Sequence, residues 1–309
     1  MVGADLQEGL RMTQIKTRPA GSASEKVTRE PSRPIWLSMG LFVLGAGAAL
    51  VALLGPLAAD VIRYHASEGA VNQIIGGDVA GLLLVAPVSV FAGILVWRGK
   101  RAGPVLALGP SVYALYMYSQ LAVGGDSFRY PGNSERFFLF YVGLFVLAGA
   151  IAVRAWAMID PGRLPVIRPW LARTLGIFLL VVAAFLVVGL HLPGLVDALA
   201  DQPASTEYLA DPVVFWLVKF MDLGIVVPGL VVTGVGILTA GPWVAKLEYA
   251  AVGWAALLGS SVAGMAIVMQ VAGDPAASVA NTVAFVCFAA IALAMAAFLY
   301  HPLLRKDPR

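Results

Sequence analysis

Lys219 and Asp222 place a cation and a carboxylate three residues apart inside one long apolar run, Phe215-Trp216-Leu217-Val218-Lys219-Phe220-Met221-Asp222-Leu223-Gly224. At that spacing both project from one face of a helix. A charge at the centre of a spanning helix costs about 2.5–3.5 kcal/mol on insertion scales, so each needs a partner, a cavity or water. Two chemistries meet that need. The pair can close on itself as a structural ion pair. Alternatively it serves a ligand or proton site, with Lys219 neutralising an anion or keeping Asp222 ionised and Asp222 accepting a proton or cation.

The elements that position this pair follow from composition. With 60% apolar and 13% charged residues and a mean hydropathy of +0.84, the chain of 309 residues belongs to the membrane class. A span needs about 20 mostly apolar residues. Eight stretches qualify, at about 35–59, 78–97, 104–123, 137–157, 171–190, 213–240, 247–272 and 276–300. Their apolar runs are continuous rather than alternating, which predicts helices and an all-α membrane protein with eight transmembrane helices. Residues 1–34 mix both signs with Gly, Ser, Thr and Pro, and read as a disordered cytoplasmic tail ahead of a transmembrane domain over 35–309. No cleaved signal peptide is expected, because the first apolar core starts too far along the chain.

Charge placement sets the orientation. Arg11, Lys16, Arg18, Lys26, Arg29, Arg33, Arg98, Lys100, Arg101, Arg154, Arg163, Arg168, Arg173, Lys246, Arg305, Lys306 and Arg309, or seventeen of the 21 basic residues, fall on one side of an eight-span arrangement. Basic residues stay cytoplasmic, so both termini are expected inside a bacterial inner membrane. Arg63, Arg129 and Arg136 fall outside, and the fifth loop carries Asp197, Asp201, Glu207 and Asp211 without a base. Trp36, Trp97, Trp156, Trp170 and Trp243 sit at the inner ends, as an interfacial belt does.

A weak internal repeat runs through the chain. Gln120-Leu121-Ala122-Val123-Gly124-Gly125-Asp126 leaves the third span much as Gln270-Val271-Ala272-Gly273-Asp274 leaves the seventh. Asp78 precedes Pro87 and Gly93-Ile94-Leu95, as Asp222 precedes Pro228 and Gly236-Ile237-Leu238, and Arg101-Ala102-Gly103-Pro104 parallels Thr239-Ala240-Gly241-Pro242. Two tandem four-helix halves are expected, about 35–157 and 171–300, related by an axis along the membrane normal. Small residues four apart, Gly45 with Ala49 and Ser260 with Gly264, mark close helix contacts.

The sixth run spans about 42 Å against a hydrocarbon core of about 30 Å. Counted from its inner end, Asp222 reaches the outer edge; counted from Pro212, it is at mid-depth. The match to Asp78, which opens the second span, favours the shallower placement. Tyr113, Tyr116 and Gln120 share a face of the third span at i, i+3 and i+7. They read either as interfacial anchors or as the wall of an outward-facing polar pocket shared with Gln270, Asn281 and Asp222. The ligand-binding candidates are therefore Lys219, Asp222, Asp78, Tyr116, Gln120 and Gln270.

Other chemistries lack support. His65, His191 and His301 have no ligand partner at i+3 or i+4, although His65 and His191 fall at outer boundaries and could approach one another. No metal, haem or other cofactor is expected. Cys287 lies in an apolar run without an acidifying neighbour and reads as a packing residue. No phosphate-binding loop, nucleophile elbow or zinc-protease motif occurs, so no catalytic residue is assigned and enzyme activity is left open as the lesser reading. The net charge of +3 is spread over short loops and tails, which excludes a nucleic-acid face. The expected partners are the lipid bilayer and a small solute or ion; the oligomeric state is open.

Arg98-Gly99-Lys100-Arg101-Ala102 followed by Tyr113-Ala114-Leu115-Tyr116-Met117-Tyr118 resembles a group of uncharacterised bacterial multi-spanning membrane proteins. So do Asp211-Pro212-Val213-Val214-Phe215-Trp216 through Asp222-Leu223-Gly224, Gly264 to Gln270, and Gly273-Asp274-Pro275. The resemblance covers most of spans 2 to 8. It implies a bacterial membrane location and no catalytic role. The leading function is binding or passage of a small solute or ion through the pocket; the alternative is a structural or partner-binding membrane subunit.

Overall fold

A computed structural model describes residues 34–305. The disordered tail expected over residues 1–34 lies outside the described residues apart from Pro34. Eight long helices follow in order: α1 Ile35–Leu54, α2 Glu68–Trp97, α3 Ala102–Val123, α4 Phe138–Met158, α5 Pro169–Ala198, α6 Pro212–Leu238, α7 Ala245–Ala272 and α8 Val279–Arg305. A short helical turn, Thr206–Ala210, interrupts the α5–α6 loop. Among the described residues seven of these helices are long and apolar enough to cross a membrane, which makes this a multi-pass membrane protein. Ile35, Leu139, Val153, Val188, Phe220 and Phe298 present the exposed apolar surface that lipid requires.

The eighth apolar span expected from sequence is the one that falls short: α3 does not reach the apolar threshold of the other seven. Ser111, Tyr113, Tyr116, Tyr118, Ser119 and Gln120 dilute it. Its position accounts for its composition, since α3 packs against α2, α4 and α7 and is buried along most of its length. A helix enclosed by protein has no need to satisfy lipid. Ser111 even turns its hydroxyl back to the Ala107 carbonyl at 2.7 Å, in the turn that Pro110 weakens.

Two helices outrun their expected lengths. The polar segment Glu68–Gly77 extends α2 beyond its apolar run, capped by the Ser67 hydroxyl, which accepts from the Ala70 amide at 3.2 Å. α5 continues to Ala198 in the same way. No break interrupts α6 at Gly224 or Pro228. Instead α2, α5 and α6 each contain one widened π turn, at Gly81–Val85, Phe185–His191 and Asp222–Val226. In all three the residue after that turn is followed by proline, at Pro87, Pro193 and Pro228. Proline lacks the amide that its fourth preceding carbonyl needs, and its ring crowds that carbonyl. The chain answers by reaching one residue further: Ala86 N–H bonds Gly81 O, Leu192 N–H bonds Val187 O, and Val227 N–H bonds Asp222 O.

Small residues set the helix crossings. A Cβ on Gly45 of α1 would stand 2.9 Å from the Ala86 carbonyl oxygen of α2, and one on Gly264 of α7 would stand 2.7 Å from the Gly76 carbonyl oxygen. α5 and α6 cross at Gly176 and Gly234, and α3 and α7 at Gly109 and Gly253. Such approaches supply the close packing that drives helix association in lipid. Cys287 does not pack inside; it is exposed on the surface of α8.

The connections α1–α2 and α3–α4 lock together at the end opposite the exposed Trp36, Trp97, Trp156, Trp170 and Trp243. His65 Nδ1 bonds the Tyr130 carbonyl at 2.8 Å and its Nε2 meets Glu135 Oε2 at 2.5 Å. These contacts, the Tyr130 carbonyl first and Glu135 second, hold the imidazolium above its ordinary pKa of 6.5. A group whose pKa is raised on folding stabilises fully below its unfolded value and loses that contribution as pH rises through the folded value. The thermal midpoint of the purified protein is therefore expected to fall as pH rises from about 6.5. A His65→Gln variant should flatten that slope in a pH series of melting curves; an unchanged slope assigns it to other groups.

Candidate functional site

The π turns of α5 and α6 touch, and each delivers one side chain to the other. His191 closes the turn in α5, and Asp222 opens the turn in α6. His191 Nε2 lies 2.9 Å from Asp222 Oδ2. From α3 the Tyr116 hydroxyl donates to Asp222 Oδ1 at 2.5 Å. Asp222 is 8% exposed and His191 1%, so this is a buried carboxylate held by three helices. With Nε2–H as the donor, His191 Nδ1 is buried with no described partner.

Lys219 does not pair with Asp222. Its Nζ turns one helical step away, 3.7 Å from Glu207 Oε1 on the short turn before α6 and 3.8 Å from the centre of the Phe215 ring. Its stem packs on Gly194 of α5, where a Cβ would meet Cε at 3.4 Å. The closed pair expected as one outcome is thus replaced by two separate arrangements. The reason is geometric: two helical partners, His191 and Tyr116, already occupy both oxygens of Asp222. Glu207 is half exposed and its contact with Lys219 is long, so it holds the lysine loosely.

These groups line a cavity of about 440 Å³. Asp78, Tyr116, Gln120, Lys219 and Asp222 all face it, together with His191, Glu207 and Asn281. Gln270 does not. On α7 the cavity wall follows Leu258, Val262, Met265 and Met269, a helical stripe that Gln270 misses by one residue. Tyr113 also points elsewhere, its hydroxyl 3.2 Å from Ser261 Oγ. His65 and His191 do not approach as histidine partners, since each has its own carboxylate. Among the described residues no three His, Cys, Asp or Glu side chains gather as metal ligands would.

Asp78 is the most unusual member. It is 7% exposed, forms no ion pair among the described residues, and its Oδ2 has no hydrogen-bond partner there. A carboxylate so placed normally recruits a cation or a donor. Gln120 Nε2 is likewise buried without a partner. Asp78 lies 19 residues from Trp97 and Asp222 lies 16 from Leu238, about 28 and 24 Å along their helices. Both stand near the far limit of a hydrocarbon core of about 30 Å. The cavity opens towards the loops at that end, where Ala66, Gly125, Thr206 and Ala277 form its rim.

His191 and Glu207 are the site residues that the sequence reading missed. His191 sits in an apolar run with its partner 31 residues later, and the only local sign was Pro193 two positions on. Glu207 belonged to the fifth loop, whose acids without a base bore on orientation alone. Comparison with known proteins gives no matching family model, no matching curated protein and no matching solved structure.

Proposed function

We propose that this is a bacterial inner-membrane protein, both termini cytoplasmic, that binds a small solute or ion in its outward-facing cavity and passes it between two tandem four-helix halves. The observation that carries the reading is Asp222 buried at the cavity wall, held by His191 and Tyr116 while Lys219 stands apart. Neither charge is taken up by the other, and both stand at the cavity wall. In this reading α3 is the eighth span, sheltered from lipid by its neighbours, and the basic residues around the tryptophan-bearing end face the cytoplasm.

Packing supports the two halves. α1 lies on α2 as α5 lies on α6, and α3 on α4 as α7 on α8. Ser38 donates to the Gly93 carbonyl at 2.7 Å where Gly176 meets Gly234 in the second half. The π turns refine the correspondence: with Pro87 set on Pro228, Gly81 rather than Asp78 matches Asp222, and Asp78 matches Lys219. Departure from symmetry coincides with the cavity. α2 packs tightly on α7, whereas the equivalent α3 and α6 meet through Tyr116 to Asp222 and Ser119 to Met221. The cavity fills the gap left there. Transporter folds place their substrate sites at such repeat interfaces.

Thermal melting of the protein in lipid nanodiscs, with a panel of amino acids, amines, carboxylates and sugars, tests the proposal. A ligand at about 100 times its Kd stabilises by about 2.7 kcal/mol, and the Asp222→Asn variant should lose most of that shift. If no compound moves the wild-type midpoint, the chain is better read as a structural or partner-binding subunit.

A further inference from the structure

The cavity's charges do not balance. Asp78, Asp222 and Glu207 face it with Lys219 and His191. Asp222 has a hydrogen-bond partner in His191 at 2.9 Å and Glu207 has Lys219 at 3.7 Å, which leaves Asp78 with no cation within reach among the described residues.

The space beside it is large and mostly apolar. A water molecule's share of liquid volume is about 30 Å³, so 440 Å³ far exceeds a bare ion. Met117, Met265 and Met269 give the wall side chains that adapt to irregular apolar shapes. Beyond Asp222 a second cavity of about 100 Å³ adjoins the first, lined by Phe178, Phe185, Phe285 and Phe288. Tyr116, Asp222, Leu258 and Val262 border both. In the first half Leu41, Leu44, Tyr141 and Leu144 are almost wholly buried in the core.

We infer that the solute is an amphipathic organic monocation, a primary amine on an apolar body, whose ammonium sits on Asp78 and whose body runs past Asp222 into the adjoining cavity. This rests on the solute-binding reading above. An ammonium brings three donors and a positive charge to Asp78, the cavity carboxylate that has no partner among the described residues. The phenylalanine-lined space takes the apolar body, which a metal ion or a sugar would leave empty.

Melting curves and titrations in lipid nanodiscs with hexylammonium, methylammonium, hexanoate and sodium ion test the inference. Hexylammonium alone of the four should raise the wild-type midpoint. Asp78→Asn should weaken its apparent Kd about tenfold or more, the loss expected for a charge-assisted contact. Without ligand that variant should melt no lower than wild type, because asparagine keeps the volume and removes a buried carboxyl that has no partner among the described residues, and this separates lost binding from lost folding. Leu258→Trp, which puts bulk into the wall shared by the two cavities, should weaken hexylammonium while the helical circular dichroism is unchanged. Equal affinity in Asp78→Asn overturns the assignment and describes a carboxyl that is simply protonated. Stabilisation by hexanoate, by sodium, or by methylammonium as strongly as by hexylammonium overturns the ligand class and leaves solute binding standing. If none of the four nor any compound of the wider panel acts, both readings fall.

Discussion

Leucine in place of His191 is expected to destabilise the folded protein by about 3–5 kcal/mol, because it leaves a buried carboxylate without its basic partner. Asp222 accepts only the Tyr116 hydroxyl in that variant, and its second oxygen faces leucine. A double-mutant cycle separates the pair from the cavity that leucine leaves behind. His191→Leu and Asp222→Asn are each measured by thermal or denaturant unfolding, alone and together. The double variant should recover more than about 1 kcal/mol relative to the sum of the singles, as contacting residues do. Additive singles would mean that His191 matters only as volume.

Valine at Gly76 is expected to be the most disruptive change in the bundle. A Cβ there would fall 2.3 Å from the Met265 backbone nitrogen and 2.4 Å from the Gly264 carbonyl carbon. Both obstacles are main chain, so no rotamer change relieves them and α2 must separate from α7. Overpacking of that kind costs about 3 kcal/mol or more. Folded protein recovered on size exclusion should drop sharply, with a lower melting midpoint in whatever remains. Gly229→Ala is the matched control: it lies on the exposed face of α6 with nothing within 4 Å of the added methyl. Alanine there should be neutral or stabilise by about 0.5–1 kcal/mol. Wild-type behaviour of Gly76→Val would show that the α2–α7 crossing is not as close as described.

The positions of the eight helices were legible because apolar runs and their Gly and Pro punctuation record what lipid and close packing demand. Their lengths were not. Glu68–Gly77 carries Glu68, Asn72, Gln73 and Gly76-Gly77, no signal that an apolar count can register, and it is helical because Ser67 caps it and α7 covers it. The same physics explains α3 in reverse: burial on most sides removed the requirement for apolar residues, so the most enclosed helix gave the weakest signal. Asp78, Tyr116, Gln120, Lys219 and Asp222 were brought into one cavity, as a shared depth along neighbouring helices suggested. Gln270 was chosen as the counterpart of Gln120 in the internal repeat. The stripe Leu258, Val262, Met265, Met269 shows that the rotation of the helix, not depth, decides which residue reaches the space. The pairing of Lys219 with Glu207 and of Asp222 with His191 required knowing how α5 and its following loop fold back, which no local spacing encodes.

The three proline-led π turns have a mechanical meaning. Each is one surplus residue held in a helix, and one residue of α-helix corresponds to a turn of about 100° about the axis. Without the proline, the surplus is free to travel along the helix, and every side chain it passes swings to a new face. Pro193 and Pro228 stop that travel beside His191 and Asp222. The orientation of both side chains is therefore set by two residues that touch neither, and α2, α5 and α6 work at this level as clamped shafts.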